Sequence, residues 1–137
     1  MFSLKEVKNK VYELGEIIGL KSDSHLFPMF LEDNRGCGDG ASIHIEESKY
    51  CYLVMERGQI VKKHESENLD EILYHLFSDI TFSLAVDYEV RHRNKEEDFR
   101  RIMFAKQLEL LQKINENYCK KREEQIADIL QKHPYRS

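Results

Sequence analysis

The stretch from Leu69 to Tyr88, LDEILYHLFSDITFSLAVDY, constrains the fold more than any other part of the chain. Apolar residues fall at Leu69, Ile72, Leu73, Leu76, Phe77, Ile80, Leu84 and Tyr88, the i, i+3, i+4, i+7 rhythm that gives an α-helix one continuous apolar stripe. Asn68 stands in front of the stripe as a cap, with Glu71 placed to reach back to it. Past Ile80 a second face turns apolar through Phe82, Ala85 and Val86, so the later turns are expected to be covered on more than one side. Such a helix belongs at the centre of a core, and 137 residues suit a single domain, 1–137, with no need of staples.

The flanking segments read as an α+β fold. Ser3 to Ile18 opens with a capping pair, Ser3 and Glu6, and sets Leu4, Val7, Val11, Leu14 and Ile18 on one face before Gly19 ends the helix. His25 to Leu31, HLFPMFL, is apolar around a proline that cannot donate a ladder bond, which leaves a buried loop or an edge strand. Glu32 to Gly40, EDNRGCGDG, is a turn or loop; its glycines lead into a strand rather than a helix, and its acids lack EF-hand spacing. Ser42–Glu46 alternates polar and apolar, Tyr50–Glu56 is apolar on both faces and so reads as a central strand, and Gln59–His64 returns after the Arg57-Gly58 hairpin turn, giving a small antiparallel sheet of three to four strands. Asn94 looks like the cap of a long helix reaching Ile114, with Phe99, Ile102, Met103, Leu110 and Ile114 near one face. A last helix through Tyr118, Arg122, Ile126, Ile129 and Leu130 stops before Pro134, so long helices fill the C-terminal half and bring the helix count to about four.

Charge is unevenly spread. Residues 32–89 carry 13 acids and 5 bases, whereas residues 90–137 carry 8 acids and 12 bases. An acidic middle repels nucleic acid and steers basic proteins toward itself. No run is apolar enough to span a bilayer, and the acid-bearing N-terminus lacks the form of a secretory signal, so the expected location is the cytoplasm. Cys37, Cys51 and Cys119 are odd in number and widely spaced, which suits reduced thiols.

The chain contains no Walker loop, HExxH, nucleophile elbow or paired metal box. His44 and Glu46 point the same way on one strand, but two residues are too few for a metal site, and no metal, cofactor or catalytic residue is assigned. Arg100 and Arg101 in DFRR are placed either to clamp an anion or to pair within the chain.

LFPMF, RGCGDG followed by IHIEE, YLVMERG, DEILYHLFSDITFSLAVDYEVRHR, DFRRIMFAKQLELLQKIN and ILQKHPY, in that order, resemble the bacterial immunity protein 63 family over roughly residues 25–135. The resemblance implies a cytoplasmic protein made beside a polymorphic toxin, which it binds and neutralises; it brings no catalytic residues. The expected partner is therefore the toxin's C-terminal domain, with neither nucleic acid nor membrane engaged and a monomer favoured. Glu32, Asp33, Asp39, Glu46 and Glu47 are the candidate contact residues, with Tyr50 and Tyr52 as anchors unless they pack the sheet against the helices. The alternatives are a metal-assisted enzyme using His44, Glu46 and His64, and a helical adaptor pairing through residues 95–114.

Overall fold

The computed structural model describes residues 1–32 and 38–136. The chain divides into two compact units, Met1–Leu76 and Phe77–Ser137, and the division falls inside one long helix, α2 (Leu69–Arg91).

The first unit holds α1 (Leu4–Ile17), β1 (Met29–Phe30), β2 (Gly40–Glu46), β3 (Lys49–Glu56), β4 (Gln59–Ser66) and the opening turns of α2. Ser3 caps α1 reciprocally: its hydroxyl accepts from Glu6 N at 3.1 Å, and the Glu6 carboxylate accepts from Ser3 N at 3.1 Å. Ser3→Ala is expected to lower the unfolding free energy by about 1 kcal/mol in urea denaturation, since it strips one orphan donor of its partner. Near the other end of α1, a Cβ at Gly15 would lie 2.5 Å from the Phe27 ring, so glycine is what allows that ring to seat against the helix.

The sheet has the order β1-β2-β3-β4. β2, β3 and β4 form the expected antiparallel meander, but β1 joins β2 in parallel, so the sheet is mixed. Pro28 lies immediately before β1 and is buried, which confines the strand to two residues at an edge. Tyr50, Cys51, Tyr52 and Leu53 of the inner strand β3 are all buried, which covers both of its faces. Ile43, Tyr50 and Tyr52 face the helices: Phe2 N donates to the Tyr50 hydroxyl at 2.8 Å, and Tyr52, His64 and His75 stack in sequence. Val7, Val11 and Leu14 of α1 and Ile72, Leu73 and Leu76 of α2 complete this core.

Asn68 does cap α2, accepting from Asp70 N at 2.9 Å. Glu71 does not close the expected box, because the Ser66 hydroxyl accepts from Asn68 N at 3.0 Å and donates to Glu71 at 2.8 Å. A neighbouring hydroxyl with two roles has taken the carboxylate's place.

The second unit packs the rest of α2 with α3 (Phe99–Ile114) and α4 (Glu116–Lys132) around Ala85, Met103, Phe104 and Ile126. Two expectations are corrected. The cap of α3 is Asp98, which accepts from Arg100 N at 3.0 Å, whereas Asn94 only turns the linker by accepting from Glu96 N. The second apolar face of α2 is not covered: Ala85 is buried, but Phe82 and Val86 are exposed, as is Phe99 on α3. Asn115 alone separates α3 from α4 and caps the latter through Asn117 N.

Candidate functional site

Of the acidic residues singled out from sequence, Glu32, Asp39, Glu46 and Glu47 lie around the ends of the sheet in the first unit. The β2–β3 hairpin closes on a two-residue turn, Glu47-Ser48, with φ of 51° and 64°. This is the type I′ geometry whose twist suits a hairpin, built here without the usual asparagine or glycine, at a local cost of order 1 kcal/mol per residue. The strained turn holds Glu46 and Glu47 exposed at the tip. Asp39 is also exposed, but it lies at the opposite end of β2, where its carboxylate accepts from Gly58 N at 3.4 Å. The strand rise separates it from Glu46 by roughly 20 Å. Glu32 is exposed just beyond the bond from Leu31 N to Ile43 O, and Asp33 lies outside the described residues. Tyr50 and Tyr52 are each only 2% exposed, so they pack the sheet against the helices behind this surface.

Sequence reading missed a groove at the tip end. A cavity of about 840 Å³ opens between the start of α1 and the start of α2, with Phe2, Tyr50, Leu69 and Leu73 in its apolar floor. Glu6, Glu13, Glu67 and Asp70 line it as well, against one base, Lys10. The missing signal was tertiary, because these acids are distant in sequence and become neighbours only when both helix starts meet the same end of the sheet.

On the face of the sheet away from the helices, register sets His44 opposite Cys51 and Glu46 opposite Lys49. His44 Nε2 lies 3.2 Å from a Glu46 carboxylate oxygen, while the buried Nδ1 has no hydrogen-bond partner among the described residues. Burial pushes the Cys51 thiol up from its ordinary value, and the carboxylates of Glu65 and Glu46 add to the shift. His64 sits on the opposite face, 3.6 Å from His75 in a ring stack, so the trio His44, Glu46 and His64 is not assembled. Where sequence offered two donors on this face, the fold adds a third, Cys51.

The basic pair of DFRR belongs to the second unit and Arg100 is spent internally. Asp98 and Arg100 form a two-pronged ion pair, with contacts of 2.8 and 3.1 Å. Arg100 also donates to the carbonyls of His133 and Pro134, while Arg136 N donates to Asp98. Arg101 lies 4.1 Å from the Tyr135 ring centre. DFRR and KHPY are thus two halves of one latch.

These features define an α+β protein whose charges cap helices, lock its C-terminal segment and line a cleft at one end of its sheet. The family model described as Immunity protein 63 matches residues 46–128, which span β3, β4, α2, α3 and most of α4. The chain belongs to the Immunity protein 63 family. No curated protein and no solved structure matches it significantly. Among the described residues no helix is long and apolar enough to cross a membrane.

Proposed function

We propose that this chain is an immunity protein that binds a cognate polymorphic toxin in the cytoplasm of the producing cell and blocks the toxin's active site or substrate path. Membership of the Immunity protein 63 family carries the reading. The acidic tip and cleft supply its physical basis. Glu46 and Glu47 project from a turn held in a strained conformation, and the adjacent cleft joins an apolar floor to an acidic lining. A basic toxin surface would be drawn by the charge and held by an apolar side chain seated in the cleft. Glu32 and Asp39 extend the acidic field along the sheet, Asp33 joins the proposal on its charge and place in the sequence alone, and Tyr50 and Tyr52 brace the surface from within.

Co-expression with the toxin domain encoded beside this chain's gene tests the function: rescue of growth supports it, and undiminished killing rejects it. The surface is tested separately with Asp39, Glu46 and Glu47 changed together to lysine. Association at low salt is expected to slow by about tenfold or more, with a Tm change of only a few degrees. Asp39→Lys alone reports which end of β2 faces the toxin. Unaltered association rates in the triple variant would reject the assigned surface while leaving the function standing.

A further inference from the structure

We infer that the face of the β2–β3 hairpin away from the helices is a binding site for a divalent transition cation of the zinc class, ligated by His44, Glu46 and Cys51. Among the described residues this is where three such donors converge: one nitrogen, one carboxylate oxygen and one sulfur, all within 4.8 Å of one another. Donors at zinc-ligand bond lengths, in a tetrahedron, stand roughly 3.3 to 3.8 Å apart, so the ion needs only a modest contraction of the trio.

The backbone explains the convergence. His44 and Cys51 are directly paired across the ladder, and Glu46, two residues beyond His44, returns to the same face. The two strands are joined by a turn of only two residues, so the three ligands come from one rigid hairpin. His44 and Cys51 are 1% and 2% exposed and therefore fixed, whereas the half-exposed Glu46 side chain is able to swing onto an ion. Glu65, opposite Cys51 on β4, is the next carboxylate in the row.

The His44 ring is buried, and its Nε2 already lies 3.2 Å from the Glu46 carboxylate, so one imidazole nitrogen stands beside the second donor before any ion arrives. The donor set also selects the ion. Imidazole and thiolate are poor ligands for calcium or magnesium and good ones for zinc, cobalt or copper. On binding, the Cys51 thiol releases its proton to solvent and the sulfur lone pair passes to the metal. The chelate would clamp the last rungs of the hairpin beneath the strained Glu47-Ser48 turn. Cys119, by contrast, lies in the other unit, with its thiol donating to Glu123 at 3.2 Å and pushed up to about 11.

The test uses the untagged full chain, reduced and stripped with chelator, titrated with zinc by calorimetry and with cobalt by absorption spectroscopy. One equivalent of zinc should bind, Tm should rise with its concentration, and the cobalt form should show a thiolate-to-metal charge-transfer band. Cys51→Ser should abolish that band, and His44→Gln should weaken zinc binding by about 10- to 100-fold. Glu46→Gln, at an exposed position that does not threaten folding, should weaken binding while the circular dichroism stays that of the parent. Absence of a stoichiometric site, a cobalt spectrum without the thiolate band, or a band that persists in Cys51→Ser would each overturn the assignment. None of these readouts involves a toxin.

Discussion

Asp98→Ala is expected to release the C-terminal segment and lower Tm by roughly 5 to 10 °C. The Asp98 side chain is buried, and both oxygens are in use. Oδ1 accepts from the backbone N and Nε of Arg100, and Oδ2 accepts from Arg100 Nη2 and Arg136 N. Alanine therefore uncaps α3 and leaves the largely covered Arg100 guanidinium without its counter-ion. Arg100 is the group that holds the His133 and Pro134 carbonyls, at 2.8 and 2.9 Å, so the closing segment should loosen with it. Thermal unfolding measures the first effect, and limited proteolysis beyond Lys132 measures the second. Asp98→Asn keeps an acceptor for the helix cap but loses the charge, and should fall between alanine and the parent. A parental Tm and a parental digestion pattern in Asp98→Ala would mean that solvent replaces the latch at no cost.

The same residue gives the latch a pH dependence of fixed sign. Hydrogen bonds from the Arg100 side chain, then from the Arg100 and Arg136 backbone, hold the Asp98 carboxyl well below its ordinary value of 3.8. Since the folded value is the lower one, the stabilisation is fully present above the unfolded value and is lost as pH falls toward the folded one. From pH 7 to 5 this group should contribute no slope to Tm. Below about pH 4 the parent should lose stability more steeply than Asp98→Asn, which has no carboxylate to protonate. Glu89 works in the same direction through its two contacts with Arg93, at 2.8 and 3.0 Å.

What sequence made legible was local. The periodicity of Val7, Val11 and Leu14, the Ser3 and Glu6 capping pair, the two apolar faces of Tyr50–Glu56 and the stripe from Leu69 to Ile80 each depend on neighbours within a turn or a rung, and each appears where expected. What failed depended on distant residues. Asn94 and Asp98 are both residues able to cap a helix, and Asp98 is the one also bound by the Arg100 side chain and by Arg136 N, contacts that reach to the far end of the chain. Phe82 and Val86 look like core residues until the fold leaves them uncovered. The candidate contact residues divide in the same way. Local pattern placed Glu46 and Glu47 at the end of the first strand of the meander, but which acids share one end of the sheet, and that Cys51 stands beside His44, are facts of register and helix docking.

Gln107→Leu is expected to destabilise the chain by about 2 to 3 kcal/mol although leucine nearly matches glutamine in volume and is the more apolar residue. Helical periodicity makes this position look like an ideal place for leucine, between Met103 and Leu110 on the buried side of α3. Gln107 is fully buried, and both ends of its amide are engaged. Its nitrogen donates to the Ser78 carbonyl at 2.9 Å and to the Thr81 hydroxyl at 3.4 Å on α2, and its oxygen accepts from Arg122 Nε at 2.8 Å on α4. One amide thus ties three helices together, and leucine would remove the acceptor facing a guanidinium in a region of low dielectric. Gln107→Glu separates the two halves of the interaction: it keeps an acceptor for Arg122 but has no amide to donate toward Ser78 and Thr81. Urea unfolding of Gln107→Leu, Arg122→Met and the double variant closes a thermodynamic cycle, with an expected coupling of about 1 kcal/mol or more. Additive losses would show that the cost arises at the Ser78 and Thr81 end, and an unchanged midpoint in Gln107→Leu would show that burial of the leucine offsets the lost network.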